Sequence, residues 1–155
     1  GRWDHLLIRR GFTALLRAQQ LRRPPGPYVL QAAIAACHAR ARTGAETDWR
    51  QIAMLYEALA ALTPSPVVEL NRAVAVAMAG DIAVGLRITD ELAAGSELAG
   101  YHHLPSVRGD LLAKLGQYGE AAGEFRRAAA LTQNNPERTM LLRRADDCDA
   151  QRADP

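Results

Sequence analysis

The stretch LLAKLGQYGEAAGEFRRA, Leu111–Ala128, decides the fold. Its first part extends back through Gly109, consists mostly of good helix formers, and stops at Gly116, the residue type that enters a left-handed turn without steric cost. Helical spacing resumes with Tyr118, Ala121, Ala122, Phe125, Ala128 and Ala129, which share one face of a second helix. Alanines around one large ring have a mechanical meaning. Small side chains let two helices approach closely, and Gly109 and Leu112 sit on the first helix.

The same punctuation recurs upstream. Gly80 stands 36 residues before Gly116, and Thr47 stands 33 before Gly80, with Tyr56 at the ring position and Pro64 as a closing proline. Periods of this length mark stacked repeats, in which each helix pair buries its apolar face on the next. The pattern resembles the tetratricopeptide repeat, well matched in the last pair and degenerate in the first two. The resemblance implies antiparallel helix pairs in a short right-handed superhelix.

Read along the whole chain, apolar periodicity and breakers predict an all-α fold of about eight helices. They run from about Trp3 to Leu21, Tyr28 to Arg42, Trp49 to the residue before Thr63-Pro64, and Pro66 to the break at Gly80. Ile82 to about Ala94, about Leu104 to Leu115, Tyr118 to Leu131, and a last helix opened by Asn135-Pro136 and frayed after Cys148 complete the set. Ser65 is the expected N-cap of the fourth and Asp81 of the fifth. The expected organisation is a single helical-repeat domain over residues 1–155: an N-terminal helix in 1–25, three helix pairs in 26–135, and a C-terminal helix and tail in 136–155.

Composition supports this reading. The chain has 155 residues, of which 48% are hydrophobic and 23% charged, enough for one packed core. Thirty Ala and twenty Leu favour helix over strand, and Cys37 and Cys148 do not make a disulfide framework. Eighteen of the nineteen basic residues are Arg, the exception being Lys114. The net charge of +2 hides a split, +6 in residues 1–50 and −4 in 51–155. No signal-peptide pattern and no apolar run of about 18 residues occurs, so a cytoplasmic chain without membrane contact is expected. Because it starts at Gly1 with a helical pattern from Trp3, it reads as a segment of something longer.

Candidate functional residues are few. His102-His103 and Cys37-His38 are adjacent pairs, whose side chains diverge on a helix, and no CxxC, HxxxH or HExxH spacing occurs. No metal, cofactor or catalytic residue is therefore expected. Arg9, Arg10 and Arg17 are interrupted by leucines, and the small net charge argues against direct DNA contact. Trp49 and Tyr56 read as core. Asn71-Arg72, between Leu70 and Ala73, reads as a polar pair in a core helix, either a strut between repeats with Asp110 or a loop carbonyl as a partner or a recognition element in a concave groove. The candidate groove residues are Asn71, Arg72, Val74, Met78, His103, Asp110 and Lys114. Of the positions used by the carboxylate clamp of chaperone-binding tetratricopeptide domains only Asn71 matches, the others being Cys37, Ala41, His103 and Val107. Asp146, Asp147 and Asp149 read as a solvated acidic tail or, with Arg143 and Arg144, as a C-terminal docking patch.

Several phrases are more specific than their periodicity: GPYVLQAAIAACHA (Gly26–Ala39), TDWRQIAMLYEAL (Thr47–Leu59), LTPSPVVELNRAVAVA (Leu62–Ala77), LAGYHHL (Leu98–Leu104) and the Leu111–Ala128 run. In this order they resemble the C-terminal extension of extracytoplasmic-function sigma factors of bacterial RNA polymerase, in the group associated with DGPF/YCII-type proteins. The resemblance covers Arg2 to about Arg144, with AGDIAVGL at residues 79–86 replacing a proline-containing turn. It implies a non-enzymatic regulatory module in transcription initiation. Its partners would be the upstream sigma domains of the same polypeptide, the polymerase core indirectly, and a regulatory protein or peptide. The alternatives are a stand-alone peptide- or protein-binding repeat module and a small-ligand sensor with a pocket near Asn71 and Asp110.

Overall fold

The computed structural model describes residues 25–42 and 46–153, and the helix expected over Trp3–Leu21 lies outside them. The described residues form seven α-helices and no strand: α1 (Pro27–Arg42), α2 (Trp49–Leu62), α3 (Pro66–Met78), α4 (Ile82–Ala94), α5 (His103–Lys114), α6 (Tyr118–Leu131) and α7 (Asn135–Ala153). The all-α class and the order of helices are those the sequence predicts.

Local chemistry sets the helix ends. The Asp48 carboxylate accepts the Gln51 amide at 3.1 Å and opens α2. At α3 the Ser65 carbonyl accepts the first helical bond, from Glu69 N–H at 3.0 Å, and Pro66 follows where its missing N–H costs nothing. Asp81 caps α4 by accepting Val84 N–H at 3.4 Å. The two repeat glycines end α3 and α5 in the same way. Gly80 and Gly116 have φ of 118° and 80°. Gly80 N–H donates to Ala77 O and Asp81 N–H to Val76 O, and Gly116 N–H donates to Ala113 O and Gln117 N–H to Leu112 O. This is the paired bonding of a Schellman cap, so the 36-residue spacing of the two glycines is a repeat of backbone geometry as well as of sequence.

The chain divides into two compact units, Gly1–Ala75 and Val76–Pro155. In the first, α1 packs on α2, and Leu30, Ile34, Cys37, Ile52, Leu59 and Ala75 form the core with Trp49, Tyr56 and Val68 at its edge. The buried Cys37 thiol faces the Gln51 side-chain carbonyl at 3.6 Å, and burial raises its pKa. In the second unit α4, α5, α6 and α7 each pack on the next. Leu112, Ala121, Ala122, Phe125, Ala128, Ala129, Leu141, Ala145 and Cys148 form its core.

At the centre Phe125 is fully buried, and Gly109 of α5 lies directly under its ring. A Cβ on Gly109 would come within 2.9 Å of Phe125 Cδ1, closer than such atoms approach, so the close α5–α6 contact requires glycine there. Three expectations need correction. Asn71 is exposed rather than in the core, because the buried face of α3 is carried by Leu70, Ala73, Ala75 and Ala77. The last helix does not fray after Cys148 but continues to Ala153, and Asp146, Asp147 and Asp149 are helical rather than a tail. Leu141, Ala145 and Cys148 bury one stripe of α7, and Arg126 of α6 holds Asp146 and Asp149, which ties the distal turns down.

Candidate functional site

The polar side chains singled out in the second half of the sequence converge on the α5–α7 surface of the second unit. Asp110 follows Gly109 on α5, and its position is therefore fixed by the Gly109–Phe125 contact. Its carboxylate accepts from Arg144 of α7 at 2.6 Å and pairs with Lys114, one turn along α5, at 3.2 Å. Partial burial pushes the Asp110 pKa up, but hydrogen bonds and charge from Arg144 and Lys114 outweigh it and hold the group below the usual carboxylate range.

The Arg144 guanidinium also lies over the Phe125 ring, 4.3 Å from its centroid, so one cation joins the core ring to the surface acid. Lys114 Nζ is 3.7 Å from the Met78 sulfur at the end of α3. Asp110, Lys114, Arg144 and Met78 thus form one half-exposed patch. Arg143 and Asp147 are exposed on α7, whereas Asp146 is engaged by Arg126 at 3.5 Å.

In the first unit Arg72 meets Glu69 of its own helix with two bonds of 3.0 Å. Val74 is half-buried on the same helix. His103 is exposed at the start of α5.

Sequence reasoning missed three polar clusters because each contains a contact between residues remote in the chain. Arg108 reaches Asp90 at 2.7 Å and Glu124 at 3.1 Å, and Arg127 approaches the same buried Glu124 at 3.4 Å. Arg126 binds Asp149 as well as Asp146. His102 Nε2 lies 3.0 Å from Glu137 Oε1. The one signal available was Asn134-x-x-Glu137, a capping-box spacing, and Asn134 Oδ1 does accept Glu137 N–H at 2.9 Å. The expected divergence of His102 and His103 also fails. Their ring centroids are 4.1 Å apart, because at a helix start no preceding turn crowds the rotamers.

Chemically these are mostly paired charges between neighbouring helices. An open depression of about 520 Å³ lined by Gly116, Gln117, Tyr118, Gly119, Gln151 and Arg152 and a cleft of about 210 Å³ lined by Leu98, Leu104, Pro105, Leu131, Arg108 and Glu124 lie in this unit.

Paired helices closed by glycine turns around an Ala-x3-Phe contact define the fold as a tetratricopeptide-like helical repeat. The structure is similar, with a TM-score of 0.63, to the NMR structure of the first TPR domain of the human RPAP3 protein, over 84% of this chain and all of that one. At 22% identity that likeness concerns the fold alone. In sequence the chain is 42% identical over 151 residues to an uncharacterized protein of Rhizobium meliloti (strain 1021). The match takes in 97% of this chain, which spans about a third (35%) of that relative's length. No protein-family model matches the sequence. Among the described residues no helix is long and apolar enough to cross a membrane.

Proposed function

We propose that this chain is a protein-interaction module without catalytic activity, acting as the regulatory C-terminal extension of an extracytoplasmic-function sigma factor. The observation that carries the reading is the ordered set of phrases from Gly26 to Ala128, which in that family sit on a helical repeat. The tetratricopeptide-like fold supports an interaction role, and the match to about a third of a longer bacterial protein agrees with a module that works beside other domains. Its partners would be the upstream sigma domains of the same polypeptide, the polymerase core through them, and a regulatory protein or peptide, with no direct contact to DNA or membrane.

In this reading the Asp110–Arg144–Lys114 patch and the exposed Arg143 and Asp147 of α7 form the docking surface. The exposed Arg143 and Asp147 can be changed with the core intact, which a truncation of α7 would not allow, since Leu141 and Ala145 are fully buried. The test is promoter-dependent transcription in vitro by polymerase with the longer polypeptide, comparing the parent with Arg143→Glu, Asp147→Lys and deletion of the whole extension. A severalfold change on deletion, reproduced in part by the surface variants, is expected. Transcription indifferent to all three would refute the regulatory role and favour a separate peptide-binding module.

A further inference from the structure

Beyond the docking patch, the second unit brings together three side chains whose chemistry is that of a metal site. His102 ends the loop before α5, His103 begins that helix, and Glu137 lies in the first turn of α7. One ligand atom from each falls within a single group in which all lie within 4.8 Å of one another. We propose that His102, His103 and Glu137 bind a divalent transition metal of the zinc class, with two imidazole nitrogens and one carboxylate oxygen as protein ligands.

Four features favour this reading. The donor set of two imidazoles and a carboxylate suits zinc, copper, nickel and iron rather than calcium or magnesium. His102 Nε2 is shut off from solvent 3.0 Å from Glu137 Oε1, yet it makes no hydrogen bond, because the carboxylate lies off the ring N–H axis. Ligand atoms about 2.0–2.1 Å from a tetrahedral zinc ion are separated by about 3.3 Å, so the existing gap needs only a small adjustment. The carboxylate is already oriented from behind, since the Thr132 hydroxyl donates to Glu137 Oε2 at 3.3 Å, the kind of outer support that metal-binding carboxylates use. The neighbouring cation does not compete for the site. Arg138 is committed to the Ala129 and Thr132 carbonyls and to Asn135 Oδ1, at 3.1, 2.6 and 3.0 Å.

Three protein ligands leave coordination positions for water or for a group from a partner. The ion would join the segment before α5 to the start of α7, clamping the N-terminal ends of the two helices together at one end of the α5–α7 surface. His103 is the exposed ligand, its ring in contact with those of Tyr101 and His102, whereas His102 and Glu137 are half-buried.

The test is titration of the tag-free chain with Co²⁺, read by its visible d–d absorption, followed by displacement with Zn²⁺ and by thermal melting with and without Zn²⁺. One saturable ion per chain and a Zn²⁺-dependent rise in melting temperature are expected. His103→Ala and Glu137→Gln should each weaken binding at least about tenfold and abolish the thermal shift, with helical circular dichroism unchanged. His38→Ala, in the other unit, should alter neither. Absence of saturable binding below millimolar metal, or equal binding by the parent, His103→Ala and Glu137→Gln, would overturn the site.

Discussion

The two compact units use the same helix-pair plan with different side chains at the closest contact, and the contrast shows what the tetratricopeptide-like pattern does physically. In Val76–Pro155 a glycine on α5 lets one edge of the Phe125 ring come close to it, and the ring is fully buried with alanines around it. In Gly1–Ala75 the ring at the corresponding place is Tyr56, which packs on the edge of an aliphatic core of Leu30, Ile34, Ile52 and Leu59 and stays half-buried. Burial raises the Tyr56 pKa, the cost of bringing a hydroxyl toward the core that a phenyl ring does not incur. The intermediate position, 36 residues before Phe125, is Thr89. It is fully buried, and its hydroxyl is satisfied by the Leu86 carbonyl at 2.7 Å. In the two degenerate repeats the ring position is therefore occupied by a smaller or more polar side chain.

This difference can be broken most severely at its centre. Phe125→Ala should cost about 3–5 kcal/mol of stability in denaturant unfolding, because the ring fills the α5–α6 contact and nothing nearby can replace it. Tyr56→Ala should cost clearly less, since part of its surface already meets water. Equal losses at the two sites would show that the rings do the same work. Next in size is Gly109→Ala, expected to cost about 1–3 kcal/mol by overpacking against the ring. Combining it with Phe125→Leu should be less damaging than the sum of the single changes, and strict additivity in that double-mutant cycle would refute the close contact.

Smaller effects sharpen the comparison at helix ends and on the surface. Asp48→Ala in the first unit and Asp81→Ala in the second each remove an N-cap, with an expected loss of about 1 kcal/mol, checked by thermal or denaturant melting. The longer cap bond, 3.4 Å at Asp81 against 3.1 Å at Asp48, places Asp81 at the lower end. Asp110→Asn should cost no more than about 1 kcal/mol at neutral pH, because the patch is open to solvent and screened. Its pH dependence has a definite sign. The folded-state pKa lies below the unfolded value, so the Asp110 contribution is fully present above about pH 4 and disappears as pH falls through the lowered folded value. The parent and Asp110→Asn should therefore converge in stability in acid, and a gap that widens below pH 4 would contradict the Arg144–Asp110 pairing.

Much of the fold was legible because its signals are short-range. Asp48 and Asp81 cap the helices that follow them, Pro66 sits where a helix can begin, and Gly80 and Gly116 close helices by identical bonding. The candidate surface was legible only in part. Asp110 and Arg144 were singled out separately and proved to be partners 34 residues apart, whereas Asn71 was read as core on the strength of its apolar neighbours and is exposed. Adjacency in a helical sequence does not say which side of the buried stripe a polar residue falls on when that stripe is mostly alanine.

The sequence by itself determined the helices and their punctuation, because backbone propensity, capping and one apolar stripe act over a few residues. Only the tertiary structure decided that Arg126 holds Asp146 and Asp149, that Arg108 bridges Asp90 and Glu124, and that His102 and His103 lean together beside Glu137. Long charged side chains take whichever partner the neighbouring helix presents, and that choice depends on the rotation and approach of helices set by the core beneath them.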